Sequence, residues 1–83
     1  MYQLHFSLSA KKYLQKSNQT KRIKAKLLIL ALNPQDPRLD VKKMRSADHF
    51  LRLRIGDARV IYQIDHKDKI IRIVEIDNRG DIY

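Results

Sequence analysis

The sequence predicts an α+β fold in which a helical hairpin packs on one face of an antiparallel sheet. Two runs with helical periodicity lie together in the first half of the chain, and three runs of alternating apolar and polar residues lie together in its last third. This separation of helices from strands is typical of α+β proteins, whereas parallel sheets alternate strand and helix. The chain has 83 residues, and we expect one domain that spans residues 1–83.

The first 32 residues predict one strand followed by two helices. Apolar and polar residues alternate from Tyr2 to Ser7, which indicates a strand with one buried face. The pattern then favours a helix from Leu8 to Lys16, which Ser7 or Ser9 can cap by accepting a backbone N–H group. A second helix is predicted from Thr20 to Leu32. Because only three residues separate them, the two helices should form an antiparallel hairpin.

Asn33 and Pro34 end the second helix. A proline disfavours helical geometry in the residue before it, and asparagine tolerates the left-handed backbone that often follows a helix.

Four strands are predicted after the helices, which gives the order β-α-α-β-β-β-β. Leu39 to Met44 is the weakest candidate, and Phe50 to Ile55, Ala58 to Ile64 and Lys69 to Ile76 alternate clearly. Gly56-Asp57 and the polar residues after Ile64 provide the turns. Because these turns are tight, the last three strands must form an antiparallel meander, and the first strand should join an edge of the same sheet.

The charge of the chain restricts the class of partner. Eighteen lysines and arginines against nine acidic residues give a net charge of +9 and a pI near 10.1. A small basic domain favours nucleic acid, an anionic membrane or an acidic protein as its partner. The basic face of the helices is open to the same membrane or nucleic-acid interpretation, or to simple solvation. The sequence lacks cysteine, a signal peptide and a long apolar segment, so we expect a soluble, cytoplasmic protein.

Arginine is concentrated in the predicted strands, while the helices are rich in lysine. Arg52 and Arg54 are two residues apart and therefore project from one face, and Arg59 follows the next turn. A solvated basic face is one explanation, because arginine readily keeps its charged end in water. Recognition of phosphate is the other, since the planar guanidinium matches phosphate geometry. Glu75 and Asp77 are interpreted as counter-charges for these arginines.

No metal or cofactor is expected. The histidines are scattered, and the sequence contains no metal-binding motif, phosphate-binding glycine loop or nucleophilic triad. His49 borders an arginine-bearing strand and is the histidine to test as an accessory group. Tyr83 is either a frayed end or, if it lies near Arg59 and Arg79, a base or a stacking platform.

Two segments resemble a known family. They are LRIGDARVIY, at residues 53–62, and NRGDIY, at residues 78–83, with weaker similarity at Leu32-Asn33-Pro34 and Lys42-Lys43-Met44. Together they resemble the RelE branch of the RelE/ParE toxin superfamily. The sequence departs from the family pattern at Ala58, where tyrosine is usual, and at Asn78, where many relatives have histidine.

The resemblance implies a microbial-RNase-like α+β fold and a toxin that cuts mRNA in the ribosomal A site. In such toxins the ribose 2′-OH attacks the adjacent phosphate. By position, Arg59 and Arg79 resemble the phosphate-stabilising and catalytic arginines, and Tyr83 resembles the catalytic tyrosine.

The resemblance also implies binding residues and partners. Arg52 and Arg54, with Lys42 and Lys43, would hold the RNA backbone, and Asn78 would be an accessory residue. The implied partners are the ribosome, mRNA and a cognate antitoxin in a heteromeric complex, with no membrane. A ParE-like toxin that inhibits gyrase, and a non-catalytic nucleic-acid-binding or degenerate toxin domain, are the alternatives.

Overall fold

A computed structural model describes residues 1–44 and 49–78. Two helices and five strands follow the predicted order: β1 (Gln3–Phe6), α1 (Leu8–Lys16), α2 (Thr20–Leu32), β2 (Asp40–Lys43), β3 (Leu51–Ile55), β4 (Ala58–Asp65) and β5 (Ile70–Asp77). Both helices have the predicted bounds, and no strand differs from its prediction by more than one residue at either end. Neither of these described helices has the length and apolar character that crossing a lipid bilayer requires.

The five strands form one sheet in the order β1-β5-β4-β3-β2. The α+β class, the helical layer and the antiparallel meander of β3, β4 and β5 are confirmed. The prediction of an entirely antiparallel sheet is wrong in one pairing, because β1 runs parallel to β5. No tight turn joins these two strands, so chain connectivity does not impose an antiparallel arrangement on them. The sheet is therefore mixed, with β1 and β2 at its edges.

Local chemistry sets the ends of both helices. The Ser7 hydroxyl accepts the backbone N–H of Ala10 at 3.0 Å and caps α1, which confirms one of the two predicted caps. At the end of α2, Asn33 has φ −154° and ψ 99°, so it is extended and not left-handed. The proline at position 34 therefore decides the backbone of Asn33, as expected for a residue that precedes proline.

One face of the sheet packs against the helices and forms the core. Ile23, Leu27 and Leu30 of α2 and Ala10 of α1 are buried against side chains of the three central strands. The buried strand residues are Leu53, Ile55, Ala58, Val60, Tyr62, Ile71, Ile73 and Ile76. Burial of this apolar surface is the main favourable contribution to folding. The opposite face of the sheet, which the helices do not cover, is called the open face below.

A one-residue irregularity interrupts the pairing of β4 with β5. Ile61 pairs with Glu75 and Tyr62 pairs with Ile73, so Val74 has no partner in the register. The Ser7 hydroxyl donates to the Val74 carbonyl oxygen at 2.6 Å, which fixes this bulge against the start of α1. After the bulge, Ile76 faces the core while Glu75 and Asp77 face the open side. The bulge thus reverses the faces that strict alternation along β5 would give.

Candidate functional site

The open face carries most of the strand arginines. Residues that lie opposite each other on neighbouring strands form rows that run across the sheet. One row contains Asp40, Arg54, Arg59 and Asp77, from β2 to β5. The next row contains Lys42, Arg52, Ile61 and Glu75. A third row contains Gln63, Arg72 and His5, from β4 to β1.

Two like-charged pairs lie opposite each other on neighbouring strands. Arg54 of β3 is the register partner of Arg59 of β4, and Lys42 of β2 is the register partner of Arg52 of β3. Directly opposed like charges destabilise a sheet. Residues two apart on a strand are about 7 Å apart, so the two pairs lie in adjacent rows. The same two rows also contain Asp40, Asp77 and Glu75, so they form a surface with a small excess of positive charge, called the positive surface below, which an anion would stabilise.

Arg54 and Arg59 differ sharply in exposure although they are cross-strand neighbours. Arg54 is exposed, and its Nε donates weakly to the Gly56 carbonyl oxygen at 3.5 Å. The Arg59 side chain is only 8% exposed and forms an ion pair with Asp77. Its Nε and Nη2 donate to the same carboxylate oxygen, Oδ1, at 3.3 and 3.0 Å. Arg59 is therefore held in place, whereas Arg54 projects into solvent.

The two predicted counter-charges have different surroundings. Asp77 pairs with Arg59, which confirms its predicted interaction with the arginine face. Glu75 lies opposite Ile61, and the ion pairs within the described residues do not include it. The bulge at Val74 was not predicted, although the spacing of Ile71, Ile73 and Ile76 contains its signal. Apolar residues two and then three apart cannot share one face of a regular strand.

Lys42 and Lys43 project to opposite sides because they are consecutive residues of one strand. Lys42 lies beside Arg52 on the open face, whereas Lys43 pairs with Leu51. Lys43 lines a cleft of about 410 Å³ with His49, Phe50, Leu51, Ile64, His66 and Met44. This cleft lies at the end of β4 remote from Arg59, about 17 Å along the strand. Of the two lysines, only Lys42 therefore joins the positive surface, and His49 lines the cleft together with Lys43.

The remaining predicted site residues are at the C-terminal end. Asn78 is exposed and follows Asp77 directly, so it lies at the edge of the positive surface. Arg79 and Tyr83 lie outside the described residues. Arg52 shows a further feature: its Nε is buried and has no hydrogen-bond partner among the residues that the structure describes. A buried donor without a partner is costly, and an anionic ligand could accept its hydrogen bond.

The chemistry available on the open face is recognition of anions. Arg52, Arg54 and Arg59 present guanidinium groups, which bind phosphate in a fixed planar geometry. Guanidinium is a poor proton donor because its pKa exceeds about 12. These arginines can therefore stabilise a charged phosphate, whereas proton transfer requires other groups.

Comparison with known proteins identifies similar folds and sequences. The family model described as the ParE toxin of the type II toxin–antitoxin system parDE matches residues 4–83. A chain of the archaeal RelE–RelB complex from Pyrococcus horikoshii OT3 is 31% identical, with a TM-score of 0.81, over 95% of this chain and 96% of that chain. Among curated proteins, no sequence is significantly similar to this chain.

Two structures from E. coli share the fold at lower identity. A chain of the intact RelBE toxin–antitoxin complex is 20% identical with a TM-score of 0.74, over 92% of this chain and 94% of that chain. The isolated RelE toxin is 20% identical with a TM-score of 0.75, over 94% and 84% of the two chains.

Proposed function

Because this chain belongs to the RelE/ParE superfamily of toxins from type II toxin–antitoxin systems, we propose that it is an endoribonuclease that cuts mRNA on the ribosome. The observation that carries the proposal is the pair of opposed cations Arg54 and Arg59 on the open face, next to Lys42 and Arg52. Asp77 pairs with Arg59, whereas the ion pairs within the described residues include none of Arg54, Arg52 and Lys42, and these cations favour binding of a polyanion. The phosphate backbone of RNA supplies such a polyanion.

The proposed reaction is attack of a ribose 2′-OH on the adjacent phosphate. The bond between phosphorus and the 5′-oxygen of the next nucleotide breaks, the 5′-oxygen takes up a proton, and the products are a 2′,3′-cyclic phosphate and a 5′-OH. Hydrolysis of the cyclic phosphate by water would then give a 3′-phosphate. Arg59 and Arg54 would stabilise the charge that develops on the phosphate. Arg79 and Tyr83 are assigned the remaining catalytic roles by their match to the family motif. Arg52 and Lys42 would position the RNA backbone.

Such a site is short of groups for proton transfer, which explains the proposed dependence on the ribosome. A side chain that transfers a proton in the transition state increases the reaction rate about 10²- to 10⁴-fold, and arginine is unsuited to that role. Holding the 2′-OH in line with the phosphate gives a large rate increase by itself. A ribosome that fixes the mRNA in this geometry would compensate for the sparse chemistry. The proposed place of action is therefore the cytoplasm.

A cognate antitoxin is the proposed regulatory partner. The relatives from P. horikoshii and E. coli were determined in complex with RelB or as a toxin–antitoxin complex. The net charge of +9 would favour an antitoxin segment rich in acidic residues. Binding of that segment over the open face would block access of RNA to Arg54 and Arg59.

Induction of the protein in cells, with genome-wide mapping of mRNA 5′ ends, tests the proposal. We expect growth arrest together with new 5′-OH ends inside translated regions. The variants Arg59→Ala, Arg79→Ala and Tyr83→Ala should remove these ends while the protein still accumulates. Growth arrest with intact mRNA in the wild type would rule out the nuclease.

A ParE-like toxin that inhibits DNA gyrase is the second candidate, because the matching family model describes ParE toxins. The same induction experiment separates the two functions. A gyrase inhibitor would cause DNA damage and a DNA-damage response without new mRNA ends. The opposed cations of the open face would then bind an acidic surface or DNA.

A further inference from the structure

We infer that Glu75 is a specificity-determining residue that selects guanine at the nucleotide whose backbone is held by Arg52. This inference rests on the proposed function and deepens it, because it names the base that the open face recognises. The observation that carries it is one row of the sheet. Arg52 of β3, Ile61 of β4 and Glu75 of β5 follow one another in that row, so an apolar side chain lies between a cation and a carboxylate.

The bulge at Val74 brings Glu75 onto the open face. The side chain of Ile73 is in the core, and strict alternation after it would direct Glu75 into the core as well. With the extra residue, Glu75 becomes the register partner of Ile61 and is exposed. The Ser7 hydroxyl donates to the Val74 carbonyl oxygen at 2.6 Å and holds the bulge in this position. Bulges are common beside functional sites, where they redirect a side chain.

The Glu75 carboxylate is available to a ligand. Within residues 1–44 and 49–78, neither an ion pair nor a side-chain hydrogen bond involves it. Its neighbours on the same face of β5 are Arg72 and Asp77, and neither is bonded to it. A carboxylate accepts hydrogen bonds through two oxygens and donates none. Glu75 can therefore bind a ligand that presents two adjacent N–H donors.

Ile61 supplies an apolar floor beside this carboxylate. It is half-buried, whereas the other residues of its row and of the row of Arg54 and Arg59 are all charged. The flat face of a nucleobase is apolar and packs on apolar side chains. Neighbouring strands are about 4.8 Å apart, so the Cα atoms of Arg52 and Glu75 are about 10 Å apart. A nucleotide with its phosphate on Arg52 can therefore lay its base over Ile61 and turn the base edge toward Glu75.

Among the four bases of RNA, guanine has the edge that complements a carboxylate. Its Watson–Crick edge presents two adjacent donors, N1–H and the exocyclic N2 amino group, one for each carboxylate oxygen. Adenine and cytosine present a single amino donor beside an acceptor nitrogen. Uracil presents one N–H between two carbonyl oxygens, which a carboxylate repels. Hydrogen bonds to an ionised acceptor are about twice as strong as neutral ones, so Glu75 favours guanine over the other three bases.

Cleavage of mRNA on purified ribosomes tests the inference through a single functional group. Two messages are compared that differ at one base, which is guanine in the first and inosine in the second. Inosine lacks the exocyclic amino group and keeps N1–H. The exchange is made in turn at each position of the codon in the ribosomal A site. The measured quantity is the ratio of kcat/KM for the guanine message to kcat/KM for the inosine message.

The wild type should cut the guanine message about tenfold more efficiently at one of these positions, because inosine loses a hydrogen bond to a charged group. In Glu75→Ala the ratio should fall to about one, since both acceptor oxygens are gone. Glu75→Gln should give an intermediate ratio, because the amide keeps one acceptor oxygen without the charge. Asp68→Asn is the matched control and should keep the wild-type ratio, because it removes one carboxylate from the exposed β4–β5 turn.

A wild-type ratio near one at every codon position would overturn the inference, and so would a wild-type ratio that persists in Glu75→Ala. A folded Glu75→Ala that cuts neither message would assign Glu75 to the reaction itself and would also overturn it. Thermal unfolding establishes whether the variants are folded. If Glu75→Ala does not fold, Glu75→Gln decides the question, since an unchanged ratio there overturns the inference.

The same assay separates the inference from the proposed function. A wild type that cuts both messages equally refutes the choice of guanine and leaves the nuclease standing. A wild type that cuts neither message on ribosomes refutes the proposed function, and the inference falls with it.

Discussion

Arg59 donates two hydrogen bonds to one carboxylate oxygen of Asp77, at 3.0 and 3.3 Å, across the strand pair that contains the bulge. Its other cross-strand neighbour is a second arginine, Arg54, which is exposed. The two arginines therefore have different physical roles. Arg59 contributes to the structure through a partly buried ion pair, whereas Arg54 contributes charge to the surface and unfavourable repulsion to the fold.

Arg54→Ala should reduce function without reducing stability. Removal of the exposed guanidinium should weaken binding of a single-stranded RNA about tenfold, since a hydrogen bond to a charged group contributes about 1.5–3 kcal/mol. The free energy of unfolding should change by less than about 1 kcal/mol, because loss of the like-charged pair with Arg59 and loss of the opposite-charge pair with Asp40 offset each other. Fluorescence anisotropy measures the affinity for RNA, and chemical denaturation measures the free energy of unfolding.

Lys67→Ala, in the exposed β4–β5 turn, is the control for loss of one positive charge. A clear loss of stability in Arg54→Ala would contradict this balance and show that attraction to Asp40 outweighs repulsion by Arg59.

Tyr62→Phe should stabilise the protein. Tyr62 is fully buried, and its hydroxyl has no hydrogen-bond partner among the described residues. An unpaired buried hydroxyl costs about 1–3 kcal/mol, so its removal should raise the melting temperature by several degrees. Phenylalanine keeps the ring and its packing. A fall in melting temperature would instead reveal a hydrogen bond to the hydroxyl.

The same substitution should alter the response to high pH. Burial raises the pKa of Tyr62 to about 12, from an ordinary value of 10. The folded state therefore holds the phenol proton more tightly than the unfolded state, and stability falls as the pH rises from 10 toward 12. Denaturation at pH 9 and pH 11 should show this loss in the wild type and a smaller loss in Tyr62→Phe. An equal loss in both proteins would contradict the assignment to Tyr62.

Gly56→Ala should destabilise the β3–β4 turn for two separable reasons. Gly56 has φ +57°, a left-handed conformation that costs other residues about 1–2 kcal/mol. An added Cβ would also lie 2.7 Å from Nη1 of Arg22, a flexible side chain of α2 that can move away. We expect the backbone term to dominate, so the free energy of unfolding should fall by about 1–2 kcal/mol.

A double-mutant cycle separates the two terms. The cost of Gly56→Ala should be nearly the same in an Arg22→Ala background, because the backbone strain remains. Gly56→Asn should cost less than Gly56→Ala, since asparagine adopts left-handed geometry more readily. Full rescue of Gly56→Ala by Arg22→Ala would show that the contact, and not the backbone, decides the cost.

Helix bounds, the meander and the faces of β3 and β4 could be predicted from sequence because they depend on local patterns. The two helices begin and end as the Ser7 cap and the Asn33-Pro34 pair indicate. The parallel pairing of β1 with β5 could not be predicted, since these strands are more than sixty residues apart and local patterning does not specify their relative direction. The left-handed alternative for Asn33 also failed, because proline acts on that residue more strongly than its own preference does.

The candidate site was only partly predictable, because part of it depends on contacts between residues that are distant in the sequence. The projection of Arg52 and Arg54 from one face follows from strand periodicity alone. The burial of Arg59 does not, because it depends on the bulge that brings Asp77 across from β5. Strict alternation would have placed Asp77 in the core. A search of strand sequences for apolar residues three apart, as in Ile73 and Ile76, would locate such bulges.

The same substitution at two positions of the helical hairpin should have opposite effects on stability. Lys21 lies in the first turn of α2, which has no acidic residue and no side-chain cap from Gln19. Lys16 lies in the last turn of α1. The N-terminus of a helix carries partial positive charge and the C-terminus partial negative charge. Lys21→Glu should therefore raise the free energy of unfolding by about 0.3–1 kcal/mol, and Lys16→Glu should lower it by a similar amount.

Both variants change the net charge equally, so a general relief of repulsion would stabilise both. Denaturation at low salt and in 1 M NaCl, where charge interactions are screened within about 3 Å, should show opposite shifts that vanish at high salt. Shifts of the same sign would mean that net charge, and not the helix dipole, governs the stability of the hairpin.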